Sequence, residues 1–132
     1  MKTVLIVESN DSREETWRTF YAQFFPNIVI FFAKTLLAAL SILEELYSTG
    51  CTISLIQINP WMKACCIESL THTNFGTTLT LVATQLGIPF LGVGNPLLEF
   101  SLGGQPYYYW PVETTTWRKG IESLLGMGEG GV

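Results

Sequence analysis

The chain has 132 residues, 48% of them hydrophobic and only 14% charged, with a net charge of −4. That length suits one domain with a real core, and seven scattered cations without a basic patch argue against direct nucleic-acid binding. The longest apolar runs are too short to span a bilayer, and Glu8 to Asp11 end the first one before any cleavage pattern, so a cytoplasmic protein is expected.

Lys2 to Val7 is apolar and rich in β-branched residues, which reads as a buried strand. Ser12-Arg13-Glu14-Glu15 fits a capping box for a helix from about Arg13 to Phe24, with Trp17, Phe20, Tyr21 and Phe24 as its apolar stripe. Pro26 and Asn27 stop it. Ile28 to Phe32 is a second strand. Thr35 can cap a helix through about Tyr47, with Leu36, Leu37, Leu40, Leu43 and Leu46 facing inward. Thr52 to Ile58 is a third strand, stopped by Asn59-Pro60. Beyond it a short helix near Met62 to Leu70, a polar loop and a helix from about Thr77 to Leu86 are expected. Pro89 to Val93 is a fourth strand, broken by Gly94-Asn95-Pro96. Leu97 to Gly104 has room for no more than a turn or two of helix. Tyr107 to Trp110 is a fifth strand, and a helix from about Thr114 to Leu125 follows. Residues 126–132 read as a flexible Gly-rich tail.

Strands alternating with helices imply a parallel sheet covered on both faces, with any ligand or reaction centre at the C-terminal strand ends. Four segments meet that requirement: Val4-Leu5-Ile6-Val7-Glu8-Ser9-Asn10, Leu55-Ile56-Gln57-Ile58-Asn59-Pro60, Pro89-Phe90-Leu91-Gly92-Val93-Gly94 and Tyr107-Tyr108-Tyr109-Trp110-Pro111. In order and spacing they resemble the first, third, fourth and fifth strands of a response regulator receiver domain, over residues 2 to about 125. The resemblance implies a flavodoxin-like α/β fold, a five-stranded parallel sheet with helices on both faces, here with the fourth helix short or missing. It makes residues 1–125 the receiver-like domain.

Receiver chemistry uses two acidic residues and an acceptor aspartate around Mg²⁺, a hydroxyl, and a lysine that neutralises the phosphoryl oxygens. The resemblance maps these roles onto Glu8 and Ser9, onto Gln57 (or Ile56, counted back from Pro60), onto Gly94 and onto Trp110. Only Glu8 keeps its type. Asp11 is the one aspartate in the chain, and its place after the first strand suits a helix cap or loop contact. A neutral amide is a very poor phosphoryl acceptor, and one carboxylate is a poor Mg²⁺ site. The chain therefore resembles the pseudo-receivers, which keep the fold and regulate through protein contacts.

The charged fraction is well below the roughly 25% of an ordinary soluble domain, so part of the apolar surface is expected to be covered. A signalling protein or a second copy, giving a homodimer, is the expected partner. Tyr107, Tyr108, Tyr109 and Trp110 are the candidate interface, weighed evenly against core packing, because Tyr and Trp dominate binding hot spots. Trp61 and Met62 are expected to cover the vacated pocket and Lys63 to be solvated. Cys51, Cys65 and Cys66 form no disulfide framework and no metal spacing, and are expected as small buried thiols. His72 reads as a loop residue, and Gly92 to Pro96 is too incomplete for a nucleotide loop. No enzyme is expected, no cofactor and no metal. The alternative is a sensor of a small aromatic ligand in the crevice at the strand ends.

Overall fold

The structure, a computed structural model, describes residues 2–67, 69–94 and 106–127. β1 (Thr3–Val7) lies in a parallel sheet between β2 (Val29–Ala33) and β3 (Leu55–Ile58). β6 (Phe90–Gly94) and β7 (Tyr107–Tyr109) extend it, giving the order β2-β1-β3-β6-β7. This is the doubly wound flavodoxin-like order expected from the sequence. A two-stranded antiparallel hairpin, β4 (Trp61–Met62) with β5 (Thr73–Asn74), sits between the third and fourth strands of that sheet.

Period-two alternation divides the strand side chains between two cores. Leu5, Val7, Ile56 and Ile58 point to one face, which α2 (Leu36–Ser48) and α3 (Gly76–Leu86) cover with Ala39, Leu43, Leu79 and Ala83. Val4, Ile6 and Leu55 point to the other, under α1 (Asp11–Phe24) and α4 (Thr114–Leu124). The second core is aromatic. Trp17 and Tyr21 from α1 meet Trp117 from α4 with ring centroids 5.2 and 5.1 Å apart. None of the described helices is long and apolar enough to cross a membrane.

Several local expectations change. The N-cap of α1 is Asn10, whose side chain accepts from the Arg13 amide at 3.0 Å, so Ser12 lies inside the first turn. Thr35 caps α2 as expected, but Leu37 is exposed while Ala39 takes the buried position. The short helix expected near Met62 to Leu70 does not form among its described residues. Met62 is committed to the hairpin and fully buried. The Lys63 and Ala64 carbonyls accept from the Leu36 and Leu37 amides at 3.0 and 2.8 Å, so this backbone satisfies the open N-terminus of α2. Cys51 and Cys66 are exposed and Cys65 half-buried, which corrects the expectation of buried thiols. The expected turn at Leu97 to Gly104, with the question of a short fourth helix, and the tail beyond Met127 lie outside the described residues.

Candidate functional site

The C-terminal ends of β1, β3 and β6 meet where the sequence placed the site. Glu8 follows β1 directly and its amide donates to the Ala33 carbonyl at 2.9 Å, fixing the turn away from the sheet. Its carboxylate is buried, with 2% of the residue exposed. One oxygen, Oε2, accepts from Asn59 Nδ2 at 2.8 Å and from the Asn10 amide at 3.1 Å. Burial pushes the carboxyl above its ordinary value of 4.5, against the opposing pull of the Asn59 and Asn10 hydrogen bonds and the Arg13 charge.

Asn59 is the residue that faces Glu8. Its backbone N–H donates to the Val7 carbonyl at 2.8 Å, and its Oδ1 accepts from the Trp61 backbone amide at 3.2 Å. Ser9, the second position of the acidic pair, donates from Oγ to the Trp61 carbonyl at 3.3 Å. Asn59 and Ser9 together tie the start of the β4 hairpin over the strand ends.

Gln57 does not join them. It pairs in register with Ile6 and points into the aromatic core, where it is 1% exposed. Its Oε1 accepts from the Tyr21 hydroxyl at 2.8 Å and from Trp117 Nε1 at 3.1 Å. Burial drives the Tyr21 hydroxyl well above its ordinary range, so it stays protonated as the donor. Gln57 thus organises α1 and α4 from within, and Ile56 faces the opposite core. The signal for Asn59 was present in the sequence: Val7-Glu8 and Ile58-Asn59 are matching steps from the last apolar strand residue to the first polar one, and parallel register sets them side by side.

Gly94 ends β6 where a receiver carries its hydroxyl. The space a side chain would use is taken by Tyr107: a Cβ on Gly94 would collide with the Tyr107 hydroxyl and lie 3.4 Å from Pro60 Cδ. Trp110, at the lysine position, donates its amide to the Gly94 carbonyl at 2.8 Å. Its ring packs edge-on against Trp17, 5.6 Å between centroids, and the Arg13 guanidinium lies 4.8 Å above it. The Trp110–Pro111 peptide is cis.

Asp11 opens α1 with its side chain 81% exposed, ion-paired to Lys34 and not turned towards Glu8. Among the described residues Glu8 is the only buried carboxylate, and no three His, Cys, Asp or Glu side chains gather as metal ligands.

The four aromatics of the candidate interface have separate fates. The Tyr107 hydroxyl is inside, Trp110 belongs to the aromatic core, and Tyr108 lies over Gly120 of α4 so closely that a Cβ there would overlap its ring. Tyr109 alone of the four is largely open, at 59% exposure, with its ring edge-on to Tyr107 at 5.6 Å.

No family model and no curated relative matches the chain by sequence. Its fold matches solved receiver structures. It is similar to the signal receiver domain of a DNA-binding response regulator from Colwellia psychrerythraea 34H, with a TM-score of 0.72, 16% identity, and coverage of 96% of this chain and 99% of that one. A response regulator receiver protein from Burkholderia phymatum gives a TM-score of 0.73 at 12% identity, covering 96% of each chain. A CheY-like receiver domain protein from Methanospirillum hungatei JF-1 gives 0.69 at 18% identity, covering 96% and 94%. At these identities the likeness concerns the backbone, and what it establishes is that this chain has the fold of response regulator receiver domains.

Proposed function

We propose that the chain is a pseudo-receiver, a cytoplasmic signalling module that works through protein contacts without being phosphorylated. The observation that carries this reading is the pairing of Glu8 with Asn59. The position opposite the one retained acid holds an amide, and that amide is already spent on Glu8 and on the Trp61 backbone. The surrounding substitutions agree with it. Tyr107 fills the place of the hydroxyl beside Gly94, and Trp110 replaces a mobile cation with a packed ring. An amide oxygen is a far weaker nucleophile and a weaker Mg²⁺ ligand than a carboxylate.

Tyr109 is the member of the fifth-strand aromatic run that a partner could reach, and the proposed contact centres on it. The ligand-sensor alternative ranks second: among the described residues at the strand ends, Tyr107 and Pro60 crowd Gly94 and Ser9 holds the Trp61 carbonyl.

Beryllofluoride with Mg²⁺ tests the reading, because it completes its coordination on a carboxylate oxygen of a working receiver. Amide resonances of Glu8, Asn59 and Gly94 should stay in place through the titration. Saturable shifts of all three would overturn the proposal.

A further inference from the structure

We propose that Cys65 and Cys66 form a two-thiol binding site for a soft, thiophilic centre carrying an organic group, of which a trivalent organoarsenical is the simplest example. Both cysteines line one open cavity of about 510 Å³ between the loop after β4 and the first turns of α2. Cys66 is exposed and Cys65 half-buried, and both line the open cavity. Leu37, Ala38 and Ile67 supply the rest of an apolar lining, and Leu37 and Ile67 are each 57% exposed.

The chemistry of adjacent cysteines selects this ligand class. Their Cα atoms are about 3.8 Å apart across a trans peptide, while an unstrained disulfide needs about 4.4–6.8 Å. A bond between them would be strained and readily reduced, so the pair rests as two thiols. A four-coordinate zinc centre needs further donors, and among the described residues no third His, Cys, Asp or Glu joins them. A pyramidal arsenic(III) centre that already carries an organic group needs only two sulfurs, and it accepts them at roughly a right angle. The exchange balances without an oxidant. An arylarsine oxide and two thiols give the dithioarsinite and water: two S–H bonds and the As–O bonds break, two As–S bonds form, and both protons leave on the oxygen. The aryl group then lies against Leu37, Ala38 and Ile67.

The loop is anchored at its start. Its carbonyls at Lys63 and Ala64 hold the α2 amides, and Trp61 is tied to Ser9 and Asn59. A ligand on the thiols therefore sits beside a segment fixed both to α2 and to the strand-end site. The inference rests on the cavity and the thiols, and stands whether or not the domain accepts a phosphoryl group.

Titration of the reduced protein with phenylarsine oxide, read by native mass spectrometry, tests it. One equivalent should bind per chain, be removed by a small dithiol and resist a monothiol in excess. Cys65→Ser and Cys66→Ser should each weaken binding on the order of 100-fold, the loss expected when a chelate becomes a single bond. Cys51→Ser should bind like the parent. Circular dichroism of the three variants confirms that exposed or half-exposed serines leave the fold intact. No stoichiometric adduct on the parent protein, retention by either single variant, or loss in Cys51→Ser would overturn the proposal.

Discussion

Two positions at the strand ends are held by opposite kinds of fit, one polar and one steric. Glu8 carries a charge into a buried place, and its carboxyl is raised above 4.5 chiefly by that burial. The folded state then binds the proton more tightly than the unfolded chain, so the stability present below the unfolded value is lost as pH rises through the folded one. Glu8→Gln keeps an oxygen for the Asn59 and Asn10 donors and removes the buried charge. Urea denaturation should show the variant gaining on the parent as pH rises above the ordinary carboxyl range, from about pH 4 towards neutral. A stability difference that is constant across that range would refute the assignment. Gly94 shows the steric case. Gly94→Ala should cost about 1–3 kcal/mol through the collision with the Tyr107 hydroxyl. Tyr107→Phe removes the colliding oxygen and leaves the next ring carbon 3.4 Å from that Cβ, so the double variant should recover most of the loss. Additive losses in the two would show that the collision is not the cause.

At the scale of elements, the strands and long helices were legible because their apolar periods are unmixed. β1 is buried along nearly its whole length, and Thr35 marks the start of α2 with its own side chain. The segment after Asn59 was not legible. Its residues spend their backbone groups on partners distant in sequence, the β5 strand and the α2 terminus, and no local pattern announces such pairing. The cap of α1 was missed for a related reason. Ser12 and Asn10 both suit an N-cap, and the choice was made by Glu8 accepting from the Asn10 amide, which turns the chain into the helix two residues earlier. Asn10→Ala should therefore cost about 1 kcal/mol in thermal or chemical denaturation, and Ser12→Ala less than about 0.5 kcal/mol. The reverse ranking would restore Ser12 as the cap. Gly120 in α4 makes a similar point. Alanine is the better helix former by up to about 1 kcal/mol, yet Gly120→Ala should destabilise, because its Cβ would collide with the Tyr108 hydroxyl and the ring carbon that bears it.

For the whole molecule, a parallel sheet with a core on each face followed from the alternation of elements, the flavodoxin-like arrangement followed from the resemblance to receivers, and both agree with the solved receiver structures. The site was only half legible. Glu8, Ser9, Gly94 and Trp110 lie around the strand ends as their sequence positions implied. Gln57 does not, because it lies within β3 with its side chain in the aromatic core, while Asn59, two residues on, clears the strand end; counting back from Pro60 points to Ile56, which faces the opposite core. With Asn59 beside Glu8, the proposed pseudo-receiver reading turns on the Asn59–Glu8 hydrogen bond, and Tyr109 is the place to probe the proposed partner. The most direct test is incubation of the purified chain with acetyl phosphate and Mg²⁺, followed by intact-mass measurement under conditions that preserve acyl phosphates. The account predicts an unmodified mass at every time point. A phosphoryl adduct that hydroxylamine removes, on any residue of the Glu8, Asn59 and Gly94 neighbourhood, would contradict it.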